Sequence, residues 1–361
     1  MSKRVANFNP GPACLPESVL RETAAELLDF AGTGMSVLEC SHRSPEYDKV
    51  HQEAQSLIKE LLGLGDDYQV LFFGGGASAQ FAIVPMNFLG KGQTADYIVT
   101  GAWSKKAVKE AKLFGNVNIA ATTEVDGRFA RIPAAEELKL TQGAAYVHLT
   151  SNNTIFGTQW KRFPEVDAPL FADMSSDFLS RVFDAKRFSL IYVGAQKNIG
   201  PAGVTVVILR KDLLPRCPAN IPAMFHYPTQ AKDSSLYNTP PCFAIYIVGK
   251  VCAWTKAQGG VAAVERENDR KAKLLYDTID ARPDFFGAPV AQDSRSYMNV
   301  VFRLPTEDHE KRFIAEARAR DMVGLKGHRS VGGIRVSIYN AAPYAWVERI
   351  TALMNEFAAK G

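Results

Sequence analysis

Short apolar runs rich in β-branched and aromatic residues punctuate the first two thirds of the chain, at residues 70–73, 97–100, 117–120, 145–149, 170–172, 190–193 and 204–209. Turn-forming residues bound them, as expected of buried strands. Between several of them lie longer segments with helical spacing, among them 78–89 and 104–114, and a further helix-like segment, 45–62, precedes the first run. The alternation predicts an α/β unit on a large, mostly parallel sheet, because parallel neighbours need a helix-length crossover. Ligands of such sheets bind beyond the carboxyl ends of the strands, so the residues that follow each run are where chemistry is to be sought.

The last third reads differently. A long apolar helix over 243–258 is closed by Gly259-Gly260, and an amphipathic stretch over 261–280 leads into Arg282-Pro283. From about residue 284 the pattern is a smaller α+β unit, with strands at 298–304 and 334–338 and helices at 307–320 and 345–358. The expected division is a large unit over 15–260 and a small C-terminal unit over 261–361, with residues 1–14 near the active site. A length of 361 residues agrees, since it exceeds the size at which one core keeps growing.

Composition narrows the function classes. Basic and acidic residues number 42 and 38 and are interspersed, which gives nucleic acid no continuous footprint but leaves room for a basic pocket that takes a small anion. The longest apolar stretch, 242–254, is interrupted by Gly249 and Lys250 and falls short of the roughly 18 residues of a membrane span. The start Met1-Ser2-Lys3-Arg4 is basic, but the next residues lack the apolar run of a secretory signal. Cys14, Cys40, Cys217, Cys242 and Cys252 are odd in number and widely spaced, with no CxxC, which argues against a disulfide framework and against a zinc site. A reduced cytoplasmic protein with neither nucleic-acid nor membrane partner and no metal is expected.

Candidate chemistry follows the strands. Gly74-Gly75-Gly76-Ala77-Ser78 is a glycine-rich turn before a helix, whose outward N–H groups suit a phosphate. Gly74, Gly76 and Ala79 also meet the spacing of a dinucleotide site, but its acidic partner, Asp96, precedes the next apolar run instead of following it. Lys197 lies among small residues just after a strand, in reach of a Schiff base with a carbonyl if desolvated, or otherwise a solvated loop lysine. Asp173 ends a buried-type strand, as a partner for a pyridine nitrogen or a helix cap. Trp103 offers an aromatic face or fills a core. Together the four make the constellation of a pyridoxal phosphate enzyme on a fold-type-I scaffold. His42-Arg43 and His328-Arg329, with Arg335, suit a substrate with two anionic ends.

Blocks in a fixed order carry a family resemblance: Asn7-Phe8 with Gly11-Pro12, Ser41-His42-Arg43-Ser44, Gly75-Gly76-Ala77-Ser78, Asn152-Asn153-Thr154-Ile155, Ala172-Asp173-Met174-Ser175-Ser176, Gly194-Ala195-Gln196-Lys197-Asn198, Asn238-Thr239-Pro240-Pro241 and Gly327-His328-Arg329. In these the chain resembles the phosphoserine aminotransferase branch of the class-V aminotransferases. The resemblance implies pyridoxal 5′-phosphate carried by Lys197 as a Schiff base, with Lys197 then moving the proton between substrate and cofactor. It implies Asp173 on the pyridine nitrogen, Trp103 stacked on the ring and Thr154 at the ring hydroxyl. Ala77, Ser78 and Gln196 would hold the phosphate, joined by Asn238 and Thr239 from the second subunit of a homodimer. Arg335 would clamp the α-carboxylate, and His42, Arg43, His328 and Arg329 the distal phosphate or carboxylate. The implied reaction is ping-pong transfer of the amino group of L-glutamate to 3-phosphohydroxypyruvate, giving O-phospho-L-serine and 2-oxoglutarate. A second activity on 3-hydroxy-2-oxo-4-phosphooxybutanoate, in pyridoxine synthesis, stays open.

Two positions depart from some members, which carry an arginine in the glycine-rich loop and a serine before Gly11-Pro12, where this chain has Ala77-Ser78 and Pro10. The alternatives are another class-V enzyme, such as a serine or alanine glyoxylate aminotransferase or a cysteine desulfurase, a dinucleotide-dependent dehydrogenase, or a non-catalytic scaffold. No cysteine matches a desulfurase nucleophile, and small neutral substrates would not need both His-Arg pairs.

Overall fold

The computed structural model describes residues 4–360; residues 1–3 of the basic start, and residue 361, lie outside the described residues. In chain order, β1 (Ala6–Asn7), α1 (Glu17–Glu26) and α2 (Pro45–Leu62) precede the main sheet. Its strands are β2 (Tyr68–Phe73), β3 (Thr94–Val99), β4 (Asn116–Thr122), β5 (Val147–Thr150), β6 (Leu170–Asp173), β7 (Phe188–Gly194) and β8 (Thr205–Arg210). In space they run β2-β8-β7-β6-β5-β3-β4. Helices α3 (Gly76–Phe88) and α4 (Ala102–Ala111) follow β2 and β3.

The sheet is parallel except at β8, which pairs antiparallel with both β7 and β2. The reason is the connection. Only the loop 195–204 joins β7 to β8, and a parallel return needs a crossover of about a dozen residues or more. Every residue of β6 and β7 is buried, which explains why they read as continuous apolar runs instead of alternating ones. One sheet face, with Phe72, Leu149, Ile191 and Val206, packs on Ile245 and Val248 of α5 (Cys242–Ala257). The other, with Leu71, Tyr97, Phe171 and Val207, packs on Phe81, Val84 and Phe88 of α3 and on Val108 of α4.

A separate core unites the last third of the chain: α6 (Gly260–Asp280), β9 (Asn299–Phe302), α7 (Glu307–Ala319), β10 (Met322–Val323), β11 (Ile334–Ser337) and α8 (Tyr344–Lys360). Leu275, Val300, Phe313, Val336, Val347 and Phe357 fill it, together with Ala6 and Phe8 from the chain start. There β1 adds parallel to β10, Ala6 against Met322 and Asn7 against Val323. The first residues thus belong structurally with the last hundred.

Local signals fix the elements beside the site. Ser44 caps α2 by accepting from the Tyr47 N–H at 3.3 Å, Pro45 pre-sets its first turn, and Gly63, with φ +64°, ends it. In contrast α3 begins from Gly75 and Gly76, at φ +90° and +68°, with no side-chain cap, so its first N–H groups remain available. Gly200, just past Lys197, seats the lysine loop on α5: a Cβ there would stand 2.7 Å from Val248 Cγ2. Gly200→Ala is therefore expected to cost about 1–3 kcal/mol through overpacking. A melting curve read against the parent protein checks this, and an unchanged midpoint would contradict the close seating.

Candidate active site

The carboxyl ends of the parallel strands deliver the sequence-singled residues to one place. Strand β6 ends in Asp173, β7 in Gly194 ahead of Lys197, and β5 runs into Asn152-Asn153-Thr154. Trp103 stands in the first turn of α4, and β2 leads into the glycine turn before α3. Lys197 Nζ donates to Thr154 Oγ1 at 3.0 Å and lies 5.4 Å from the centre of the Trp103 ring. Arg335, on β11, donates from Nη1 to the Thr154 carbonyl at 3.1 Å. Thr154 therefore sits between the amine and the guanidinium. The chain start closes over them: Ala13 N–H donates to Gln196 O at 2.9 Å, and a Cβ at Gly11 would lie 3.3 Å from Lys197 Cγ. Gly11 also holds φ +146°, which a side chain would strain.

Burial pushes the Lys197 amine below the ordinary lysine range; Asp173 and Asp177 pull it back up, and Arg335 adds to the depression. The consequence is a larger neutral, nucleophilic fraction near pH 7 than an exposed lysine has. Asp173 is oriented by Ser175, whose N–H and hydroxyl both donate to Oδ1, at 3.0 and 2.6 Å. The same hydroxyl accepts from Gly194 N–H at 3.0 Å, tying the carboxylate to the strand that carries Lys197. Asp177, buried to the same extent, is pushed up by burial and accepts from Ser151 and Gln159. His328 is depressed first by burial and then by Arg335, Arg329 and Lys106. Lys106 in turn stands 4.5 Å from the Trp103 ring centre. One side of the site is therefore cationic.

Several buried polar atoms here have no protein partner: Trp103 Nε1, Thr150 Oγ1, Thr205 Oγ1 and Arg335 Nε. In the sheet register Thr150 lies opposite Asp173 and Thr205 opposite both Gly194 and Phe73, so they frame the same strand ends. Leaving such groups unsatisfied costs about 1–3 kcal/mol each, so the place is built for a polar occupant. Gly194 is needed for the approach: a Cβ there would stand 3.0 Å from Gln196 Oε1 and 3.4 Å from Ala77 N. The free helix N-terminus, Ser78 and Gln196 together suit a phosphate. Acidic partner, stacking face, amine and phosphate cradle fit pyridoxal phosphate.

His42, Arg43, Asn238 and Thr239 are not among this set. His42 Nδ1 and Thr239 Oγ1 are 3.3 Å apart, and Asn238 Nδ2 donates to Thr239 O at 3.0 Å. Among the described residues none of the four bonds to Lys197, Asp173, Thr154 or Arg335; His42, Asn238 and Thr239 form a second, more exposed cluster, with Arg43 next to it in sequence. Asp96 is excluded from any ribose role. It lies within β3, accepting from Thr141 N–H and Oγ1, each at 2.7 Å, and from Asn118 Nδ2 at 2.9 Å. Ser175 and Gly11 entered the sequence reading only as motif positions without a role of their own, and Lys106, Thr150 and Thr205 were not named in it at all.

The class-V aminotransferase family model matches residues 5–350. A phosphoserine aminotransferase of Herpetosiphon aurantiacus is 54% identical over 357 residues, covering 99% of this chain and 99% of that protein. The solved phosphoserine aminotransferase of Bacillus circulans subsp. alkalophilus superposes with a TM-score of 0.97 at 51% identity, over 100% of both chains. The PLP-bound phosphoserine aminotransferase of Trichomonas vaginalis gives 0.93 at 39% identity, over 98% of this chain and 100% of that one.

The charge distribution makes one measurable statement. His328 should titrate below the usual imidazole value of about 6.5, because burial and three neighbouring cations disfavour its protonated form. Arg335→Gln removes one cation and should raise that midpoint, as read by NMR titration of the imidazole signals. A midpoint unmoved by the substitution would place His328 outside the reach of Arg335.

Proposed function

This chain belongs to the class-V aminotransferases, and we propose that it transfers the amino group of L-glutamate to 3-phosphohydroxypyruvate, giving O-phospho-L-serine and 2-oxoglutarate. Pyridoxal 5′-phosphate is its cofactor. The observation that carries this reading is the joining of the desolvated Lys197 amine to Arg335 through one residue, Thr154, beside the cationic set of His328, Arg329 and Lys106.

When bound, pyridoxal phosphate supplies an electron sink that makes the substrate Cα–H acidic. Lys197, its pKa lowered by burial, would be the neutral amine that takes up and gives back the substrate Cα proton. Asp173 would hold the ring nitrogen, its Oδ1 being oriented by the Ser175 N–H and hydroxyl. Trp103 would stack on the ring, Thr154 would bond the ring hydroxyl, and the N–H groups of α3 with Ala77, Ser78 and Gln196 would hold the phosphate. Without an arginine in the glycine-rich turn, that phosphate depends on Ser78 and the helix N-terminus. Arg335 receives the α-carboxylate shared by all four reactants.

The far end must hold a phosphate in one half-reaction and the glutamate side-chain carboxylate in the other. His328 and Arg329 serve both, since a fixed guanidinium and a titratable imidazole tolerate either charge. The second cluster, His42 and Arg43 with Asn238 and Thr239, is best explained as serving the site of a second copy, in a homodimer with shared sites. A glyoxylate transaminase acting on serine or alanine would leave this concentration of cations uncompensated. Residues 15–260 then form the cofactor unit and 261–361 the substrate unit. Five free thiols suit a reducing cytoplasm, and no helix among the described residues is long and apolar enough to cross a membrane.

The visible absorbance of the holoenzyme tests the assignment: O-phospho-L-serine should shift the band, whereas L-serine and L-alanine should not. Conversion by all three would retain the cofactor and remove the phosphate-reading pocket. Lys197→Ala should abolish turnover in a protein that still melts cooperatively; retained turnover would end the proton-transfer role. Co-expressing Lys197→Ala with a His42→Ala/Arg43→Ala chain should restore activity that neither has alone, because mixed dimers then contain one intact site. No restoration would put both clusters in the service of one chain.

A further inference from the structure

The turn over residues 338–342, which follows the Arg335 strand, is held from three directions. From α6, the fully buried Lys271 donates all its Nζ protons to backbone, to Ile338 O at 3.0 Å, Tyr339 O at 2.8 Å and Ala342 O at 3.1 Å. A lysine is almost never fully buried unless its charge is met, and here three aligned carbonyls meet it. From the turn itself, the Tyr339 hydroxyl donates to Pro10 O at 2.7 Å, fixing the chain start beside Gly11.

Asn340 makes the third connection. Its N–H donates to Asn198 Oδ1 at 2.9 Å, its Nδ2 to Leu179 O at 2.9 Å, and its Oδ1 accepts from Asn268 Nδ2 at 2.8 Å. Asn198 Nδ2 donates to Phe178 O at 2.6 Å and Asn268 Nδ2 to Ser180 O at 2.9 Å. Three consecutive carbonyls are thus taken by three asparagines from different parts of the chain. Leu179, between them, holds φ +55°, a left-handed conformation that a non-glycine residue keeps only where its surroundings enforce it. Asn198 directly follows Lys197, and Asn340 closely follows Arg335.

We propose that Asn340, buttressed by Lys271, is a positioning residue for amino transfer, fixing the gap between the Lys197 amine and the Arg335 guanidinium. This rests on the reading of Lys197 and Arg335 given above. Neither Asn340 nor Lys271 touches the reacting atoms. A reactant anchored by its α-carboxylate presents its Cα at a distance from Lys197 that this bridge sets, and displacements near 1 Å cost on the order of a hundredfold in such reactions. All four reactants share the α-carboxylate, so loosening the bridge should weaken amino and keto substrates alike. A merely structural role would instead lower the melting temperature and the active fraction, leaving KM alone.

The experiment compares holoenzymes of the parent, Asn340→Ala, Lys271→Met and Arg335→Gln. Expected for Asn340→Ala and Lys271→Met is a KM raised about tenfold or more for both L-glutamate and 3-phosphohydroxypyruvate. The cofactor absorbance before substrate addition should be unchanged, and amide exchange at Asn340 should be faster even in the cofactor-free protein. Should Asn340→Ala not fold, Asn340→Asp keeps the acceptor for Asn268 but cannot donate to Leu179, and is expected to show the same paired rise. Both KM values within about twofold of the parent, while Arg335→Gln raises them, would overturn the positioning role. If Arg335→Gln itself left both unchanged, the carboxylate assignment, and with it the premise, would fall.

Discussion

A lysine amine that must be withdrawn from water and still bonded is the constraint on which this structure depends. An ammonium in such a place is penalised, and the depressed Lys197 is the result. The fold accommodates it by giving the loop 195–204 to the lysine instead of to a crossover helix, which turns β8 antiparallel within an otherwise parallel sheet. Thr154 then gives the amine a polar neighbour, and Gly11 and Gly194 let backbone approach where any side chain would intrude.

The division of labour between the two cores follows from the same arrangement. The main sheet supplies Asp173 and Lys197 from the ends of strands buried along their whole length, and Trp103 from the first turn of the helix after β3. The C-terminal core supplies Arg335 and His328. On the proposed reading, the groups that would hold a ring come from one core and the groups that would read a substrate come from the other. Ser175 illustrates how finely the first set is coupled, since one hydroxyl serves both the carboxylate and the strand leading to the lysine.

Much of this was legible in the sequence, for physical reasons. Strands buried on both faces leave uninterrupted apolar runs, and α2 announces itself by Ser44-Pro45 and Gly63. Lys197, Asp173, Trp103 and the glycine turn were found because chemistry in α/β folds collects at strand ends. What stayed hidden was long-range. Nothing near residue 6 says that it will pair with residue 322, and the direction of β8 depends on a loop length rather than a pattern. Asn198, Asn268 and Asn340 look like ordinary polar residues until the fold brings them to consecutive carbonyls. Likewise the separation of His42 and Arg43 from His328 and Arg329 is invisible in two similar dipeptides.

The pairing of β1 with β10 has a consequence for how the molecule is made. A ribosome emits Ala6 and Asn7 first and their partners, Met322 and Val323, more than three hundred residues later. At about 5–20 residues per second the nascent start waits roughly 15–60 s for its strand. The sheet that bears Lys197 can assemble in that interval, but the segment that covers the lysine cannot be seated. Until then the segment over Lys197 lacks the strand pairing that anchors it, and the growing chain seats that cover only with one of its last acts of synthesis.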